Sequence, residues 1–136
     1  MGRILFAQSM DMNRITTRTQ EMVLDEQGIV CCRVLAGAQI NLEDAKENAR
    51  AVKLLAPGRC VPIYIDASGS KGGNKEARDY FASEEVARIQ MACAFLVTSP
   101  LSYLIGNFFL GLNKTKFPFR LFKKEEQAKE WLRSFL

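Results

Sequence analysis

The sequence predicts a mixed α/β fold: a mainly parallel sheet of four to five strands with an N-terminal hairpin and helices packed on it. Three observations indicate this class. Two strand-like runs flank the turn at Asp25–Gly28, and further along the chain apolar runs alternate with amphipathic helical stretches. The composition, with 48% apolar and 25% charged residues, is typical of a globular domain.

The first half of the chain reads as a hairpin, a helix and a buried strand. The hairpin strands are expected near residues 18–24 and 29–35. Asn41 is a predicted N-cap, followed by acidic residues where the helix dipole favours them. The run CVPIYID at 60–66 is almost wholly apolar, which is typical of a strand covered on both faces. The helix after Asn41 should bury one stripe, Leu42, Ala45, Ala49, Val52 and Ala56.

The second half predicts three further helices and two strands. A helix begins near Asn74 and is expected to break at Ser83, which begins a fresh capping pattern. Strands are expected at 92–99 and 117–123, the latter at a sheet edge because of Pro118. A helix of about twelve residues is expected to begin at Pro100, and a closing helix spans 124–135.

The stretch from Met91 to Asn113 has no charged residue and is long enough to cross a bilayer. Ser99 and Pro100 divide it, because they read as an N-cap and a first helical residue. We therefore expect a core strand followed by a helix, and no membrane span.

Residues 1–12 are expected to be an N-terminal extension, flexible or created by a misassigned start, ahead of one domain at 13–136. Met10 and Met12 suggest later starts. The apolar core of the first residues is too short for a signal peptide. Phe6 also breaks the myristoylation pattern.

Residue types argue against most catalysis. The chain has no histidine, the commonest general base and metal ligand. Its four cysteines form no C-x-x-C pair and lack zinc spacing. We expect reduced, structural thiols, no metal or other cofactor, and a cytoplasmic protein that is not an enzyme. Cys31 and Cys32 are neighbours and should point to opposite faces of a strand.

Several segments resemble a known group of proteins: EARDYFASEE, the SP before a helix, IGNFFLGLNK, RLF and EEQAKEWL. From about residue 18 onward the chain is similar to a family of small uncharacterised bacterial proteins in the SpoIIAA-like superfamily, related to STAS (anti-anti-sigma) domains. The resemblance implies a sheet of four to five strands in a βα superhelix. It assigns no function, because that family has none.

The same resemblance implies a non-enzymatic module. Many STAS proteins change binding partners when a Ser or Thr at a helix start is phosphorylated. The corresponding segment here, 72–76, reads GGNKE and contains no hydroxyl. Ser68 and Ser70 lie earlier in the loop, which leaves a displaced switch as the alternative.

Candidate contact residues cluster where parallel strands end, because ligands of open parallel sheets bind at that rim. They are Asp66, Ser68, Ser70, Asn74 and Ser99, joined by Asn107 in the helix after Pro100. The helix starts at Asn74 and Ser99 would favour an anion or nucleotide. The alternatives are a protein-contact loop or a simple turn, with Asp66 bonded to its own turn and Asn107 to nearby backbone.

The net charge of +4 arises in residues 111–136, which carry seven Lys or Arg against three Asp or Glu. Phe117, Phe119 and Phe122 interleave with these cations. Such mixing occurs in nucleic-acid binders, but an amphipathic strand with aromatics inward and cations outward gives the same pattern. We favour the strand and expect no nucleic-acid partner.

The favoured function is a STAS-like protein-interaction or regulatory module acting on an unknown protein partner or by homo-oligomer formation. The first alternative is a binder of a small anionic ligand or nucleotide at the rim formed by residues 66–74 and 98–100. The second is a carrier of apolar ligands. That function needs an internal cavity, and a chain of this length is expected to leave little room for one.

Overall fold

The computed structural model describes residues 13–99 and 115–136, which form one six-stranded sheet in the order β1-β2-β3-β4-β5-β6. The first three strands are antiparallel and β3 to β6 are parallel, so the predicted mixed sheet is confirmed. The extra strand is β1, whose three residues are too few to show a period in the sequence. The strands are β1 Arg14–Thr16, β2 Gln20–Leu24, β3 Val30–Val34, β4 Val61–Asp66, β5 Gln90–Leu96 and β6 Phe119–Phe122.

Four helices lie in the described residues: α1 Leu42–Leu55, α2 Lys75–Phe81, α3 Glu84–Ala87 and α4 Glu125–Arg133. Asn41 and Asn74 cap α1 and α2 as predicted, each accepting a bond from a backbone N–H of the first turn. The predicted break at Ser83 is confirmed, because α2 ends at Phe81 and Ser83 is the N-cap of α3. The hydroxyl of Ser83 also donates to the carbonyl of Tyr80. Residues 1–12, the helix expected from Pro100 and Asn107 lie outside the described residues.

Helices cover both faces of the sheet. On the first face α1, α2 and α3 pack over a core that includes Val34, Ile63 and Ile65. On the second, α4 covers Tyr64, Ala94 and Leu96. The central strand β4 is buried from Val61 to Ile65, as its apolar sequence predicts. Among the residues that the structure describes, no helix is long and apolar enough to cross a membrane.

The predicted stripe of α1 is partly confirmed. Ala49, Val52 and Ala56 are buried, but Leu42 and Ala45 are only half-buried. Leu55 completes the buried side of the helix.

The two cysteines at 31 and 32 point to opposite faces, as predicted: Cys32 packs in the first core and Cys31 against the second.

The expectation that β6 places its aromatic side chains on one face and its cations on the other is wrong in part. Phe119 pairs with Cys93 and Phe122 with Leu96, which places the two rings on opposite faces. Because both faces of the sheet are covered, the aromatic side chains are divided between them.

The cation Arg120 packs against the aromatic rings on the second face of the sheet. The guanidinium carbon of Arg120 lies 5.0 Å from the centre of the Phe122 ring and 5.6 Å from that of Trp131. Arg120 therefore packs on aromatic faces instead of pointing away from them.

An ion pair ties the hairpin to the start of α1. Arg18 lies between β1 and β2, and its Nε donates to Asp44 Oδ1 at 2.7 Å while its Nη2 donates to the Gln39 carbonyl at 2.9 Å. Asp44 also accepts from the backbone N–H of Asn41, completing a capping box. The bond from Arg18, with help from Asn41, lowers the pKa of Asp44 although its burial acts in the opposite direction.

This pair predicts a pH-dependent loss of stability. Arg18→Met should lower the free energy of unfolding at neutral pH, because it removes the partner of the buried Asp44 carboxylate. Because the folded pKa of Asp44 is lowered, its contribution is present above the unfolded value of about 3.9 and is lost as pH falls through the folded value. The difference in the free energy of unfolding between wild type and Arg18→Met should therefore become smaller at acidic pH.

Urea unfolding at neutral and acidic pH measures this difference. Arg14→Met, at an exposed strand position, is the control and should change little at either pH. An effect of Arg18→Met that is equally large in acid would contradict the role given to Asp44.

Candidate functional site

Two loops meet at the carboxyl ends of β3 and β4 through a ladder of backbone hydrogen bonds. The N–H of Gly37 donates to the Gly69 carbonyl at 2.8 Å, and that of Lys71 donates to Ala38 at 2.9 Å. Ile40 and Gly72 continue the ladder, and Asn74 donates back to Ile40 at 3.0 Å. Both helix caps follow directly, so the ladder fixes where α1 and α2 begin.

Glycine is required at two places in this ladder. A Cβ on Gly69 would lie 3.2 Å from the Cα of Ala36, closer than side chains normally approach backbone. Gly72 has a φ of 90°, a conformation that other residues rarely adopt. The contact between the loops therefore explains Gly69, and the backbone conformation explains Gly72.

The predicted rim residues mostly serve their own loop. Asp66 Oδ1 accepts from the N–H of Ser68 at 3.0 Å and from its hydroxyl at 2.6 Å, as the local interpretation of Asp66 predicted. Ser70 Oγ accepts from the N–H of Gly72 at 2.8 Å. Asn74 is occupied as a cap on a helix of only seven residues. Ser99 is exposed, and the helix predicted after it lies outside the described residues.

A cavity of about 340 Å³ lies between the first face of the sheet and the helices α1 and α2. This volume is within the range of ligand pockets. Its floor is apolar, with Val34, Ile63 and Ile65 among the strand residues. Ser70, Lys71 and Gly72 of the rim loop line the same cavity, and Lys71 is the exposed member of the described lining. Of the predicted contact residues that the structure describes, Ser70 lines the cavity, whereas Asp66, Ser68, Asn74 and Ser99 do not.

The expectation that the chain leaves little room for a cavity is wrong. The helices present small side chains to the space, among them Ala45 and Ala49 from α1 and Ala77 from α2. The loop ladder holds the first turns of both helices in place. Short side chains on helices that are fixed in position leave a volume that the sheet below does not fill.

Two buried glutamines line this cavity. Gln20 and Gln90 are each 6% exposed, and their carbonyl oxygens have no hydrogen-bond partner in the part of the chain that the structure describes. Leaving such a group unpaired costs ~1–3 kcal/mol, so buried polar atoms without partners are uncommon. A glutamine amide carries an acceptor oxygen and a donor NH₂, so it can bond to either kind of polar group.

The glutamines mark opposite ends of the cavity. Gln20 pairs with Val34, one residue beyond the level of Asp66, whereas Gln90 pairs with Val61 at the start of β4. Six positions at ~3.3 Å each separate these levels by roughly 20 Å along the strands. An occupant in contact with both ends would be elongated.

Asn48 and Tyr80, two other polar residues of the lining, have hydrogen-bond partners. Asn48 accepts from Thr17 at 2.6 Å and donates to Thr19 at 3.1 Å. Tyr80 donates to Glu85, and this bond together with burial, the larger cause, raises the pKa of Tyr80 to about 12. Burial also raises the pKa of the Cys32 thiol, which is therefore a neutral, poor nucleophile at physiological pH.

Sequence reasoning missed Gln20, Gln90 and Arg78 as lining residues. A signal was present for Gln20, because it shares the alternation of Met22 and Leu24 and so falls on the apolar face of β2. A polar residue at an apolar position of a predicted strand deserves to be treated as a candidate contact. No comparable signal existed for Arg78, since half-buried helical arginines are common.

The family of the chain follows from its similarity to known proteins. It belongs to the family described as Domain of unknown function (DUF7793), whose model matches residues 22–136. No curated protein matches the sequence. No specific role is therefore established for this DUF7793 domain.

Solved structures give the fold of this DUF7793 member. It is similar to an uncharacterised DUF3478-family protein with a SpoIIAA-like fold from Shewanella loihica PV-4, at 13% identity and a TM-score of 0.58, over 87% of this chain and 98% of that chain. Identity this low shows the fold alone, and that fold agrees with the predicted SpoIIAA-like architecture. A protein with unknown function from Arthrobacter sp. FB24 is 25% identical over 87% of this chain and 95% of that chain, with a TM-score of 0.31.

Replacing a buried glutamine whose carbonyl oxygen is unpaired is expected to increase stability. Gln90→Met, which keeps the length of the side chain but removes the amide, should raise the free energy of unfolding of ligand-free protein by ~1 kcal/mol. Gln39→Met, at an exposed loop position, is the matched control and should stay within ~0.5 kcal/mol of wild type. Chemical denaturation of protein refolded without additives measures both, and a destabilised Gln90→Met would show that the amide is paired.

Proposed function

We propose that this chain is a non-catalytic regulatory domain that binds a small, mainly apolar molecule in the cavity between the sheet and α1 and α2. One observation carries the proposal: an apolar cavity of about 340 Å³ whose lining includes two buried glutamines with unpaired carbonyl oxygens. A ligand with hydrogen-bonding groups would supply partners for these amides, and its apolar body would cover the strand side chains.

The chemistry of the lining favours binding over catalysis. General acid–base catalysis needs a group that exchanges a proton near neutral pH. The chain has no histidine, and the pKa values of Cys32 and Tyr80 in the lining are raised away from neutrality. The amides, hydroxyls and cations that remain are groups that hold and orient a ligand.

The output of the domain is proposed to be contact with a protein, either an unidentified partner or a second copy of this chain, in the cytoplasm. The support is the SpoIIAA-like fold and the position of the cavity. The rim loop at 66–74 lies on the surface and lines the cavity, so occupancy would change the surface that a partner meets. Phosphorylation of Ser68 or Ser70 stays a prediction.

Filling the cavity tests the proposal. Ala49 and Ala51 both lie on α1 and are both buried, but only Ala49 lines the cavity. Ala49→Met should place its side chain in the empty volume and abolish ligand binding, at little cost in stability. Ala51→Met must enter packed core and should cost ~1–3 kcal/mol. Because the helix propensity of the two changes is the same, the comparison isolates the cavity.

Binding is measured by titrating the pure protein with a fluorescent apolar probe and displacing the probe with candidate molecules. Thermal unfolding of both variants gives their stability. The proposal predicts saturable probe binding to wild type and to Ala51→Met below its unfolding temperature, but not to Ala49→Met. Equal binding by Ala49→Met and wild type would place the probe elsewhere and reject the proposal.

A further inference from the structure

We infer that the ligand of this cavity is an anionic amphiphile, oriented with its charged group at the rim loop and its aliphatic body over β3 and β4. This inference rests on the proposed function and names the chemical class of the ligand. The shared chemistry is a single carboxylate or phosphate on an extended apolar chain.

The charge of the lining carries the inference. The described lining residues include two charged side chains, Lys71 and Arg78, and both are cations. No carboxylate lines the cavity in the ranges 13–99 and 115–136. Two acids close in sequence to Arg78 and Tyr80 are engaged with other groups: Asp79 with Lys75 at 2.7 Å and Glu85 with Tyr80. An anion in the cavity would therefore meet positive charge with no acid in the lining to oppose it.

Both cations are held at the rim end by the loop itself. The backbone N–H of Lys71 bonds to Ala38 in the ladder, so the base of this side chain is fixed. The Nη1 atom of Arg78 donates to the Gly73 carbonyl at 2.9 Å, which places the guanidinium beside the same loop. Arg78 is half-buried, where an ionic contact is screened less than at an open surface.

The rest of the cavity fixes the orientation. Further from the rim along the strands, the floor includes Met22, Ile63 and Ile65, which suit methylene groups and offer no hydrogen bonds. An anion buried there would lose its hydration without compensation, so the charged group must stay at the rim. Gln90 lies at the opposite end and favours a ligand with a second, neutral polar group over a plain chain.

Matched ligands separate charge from apolar contact. Decanoate, decyl phosphate, decanol and decyltrimethylammonium share one chain length and differ in the head group. Each is titrated into the intact protein by calorimetry, below its micelle-forming concentration. Wild type should bind the two anions at least ~10-fold more tightly than decanol, and this preference should weaken as salt is added. The ratio of carboxylate to phosphate affinity identifies which anion the rim accepts.

Variants locate the charge preference. Lys71→Met and the double variant with Arg78→Met should lose the preference for anions while keeping the affinity for decanol. Lys53→Met and Arg88→Met remove exposed cations that do not line the cavity and should retain the preference. Lys71 is exposed, so its replacement leaves a folded protein even if the double variant is unstable.

The outcomes separate this inference from the proposed function. Equal binding of decanoate and decanol by wild type, or a preference unchanged in Lys71→Met, overturns the anionic ligand and leaves an apolar site in place. Tighter binding of the trimethylammonium compound does the same. Failure of all four molecules and of the fluorescent probe to bind overturns both.

Discussion

The structure depends on the hydrogen-bonded contact between the loops 37–40 and 69–74. These loops leave adjacent parallel strands at the same rim, and four backbone bonds of 2.8–3.0 Å join them. Asn41 and Asn74 follow at once as helix caps, so one contact fixes the starts of α1 and α2 over the sheet. A Cβ at position 69 would lie 3.2 Å from the Cα of Ala36, so a larger residue there requires the two loops to shift slightly apart.

The cavity follows from that constraint and from the small side chains beneath it. Helices packed freely on a sheet would settle until their side chains filled the space. Here the loop contact fixes the helix starts while Ala45, Ala49 and Ala77 face the gap, so a volume of about 340 Å³ remains. The same loop supplies Lys71 at the edge of that volume. Part of the predicted rim, including Ser70 and Lys71, therefore borders the cavity.

The sequence predicts the elements better than the space between them. The apolar run of β4, the caps at Asn41 and Asn74 and the break at Ser83 are local signals, and all are confirmed. The strand β1 was missed because three residues carry no period. The distribution of aromatics around β6 was mistaken because a one-sided strand was assumed. The cavity could not be predicted, since it depends on hydrogen bonds between loops about thirty residues apart.

Xenon binding to crystals of the protein tests the central claim most directly, because xenon enters empty apolar cavities and makes no demand on ligand identity. We expect a bound xenon atom between α1 and the sheet, beside Ala49 and Ile63, in crystals of the unliganded chain. Tightly packed density there, with the helices settled on the strands and no xenon, would contradict the existence of the cavity and the functions proposed for it.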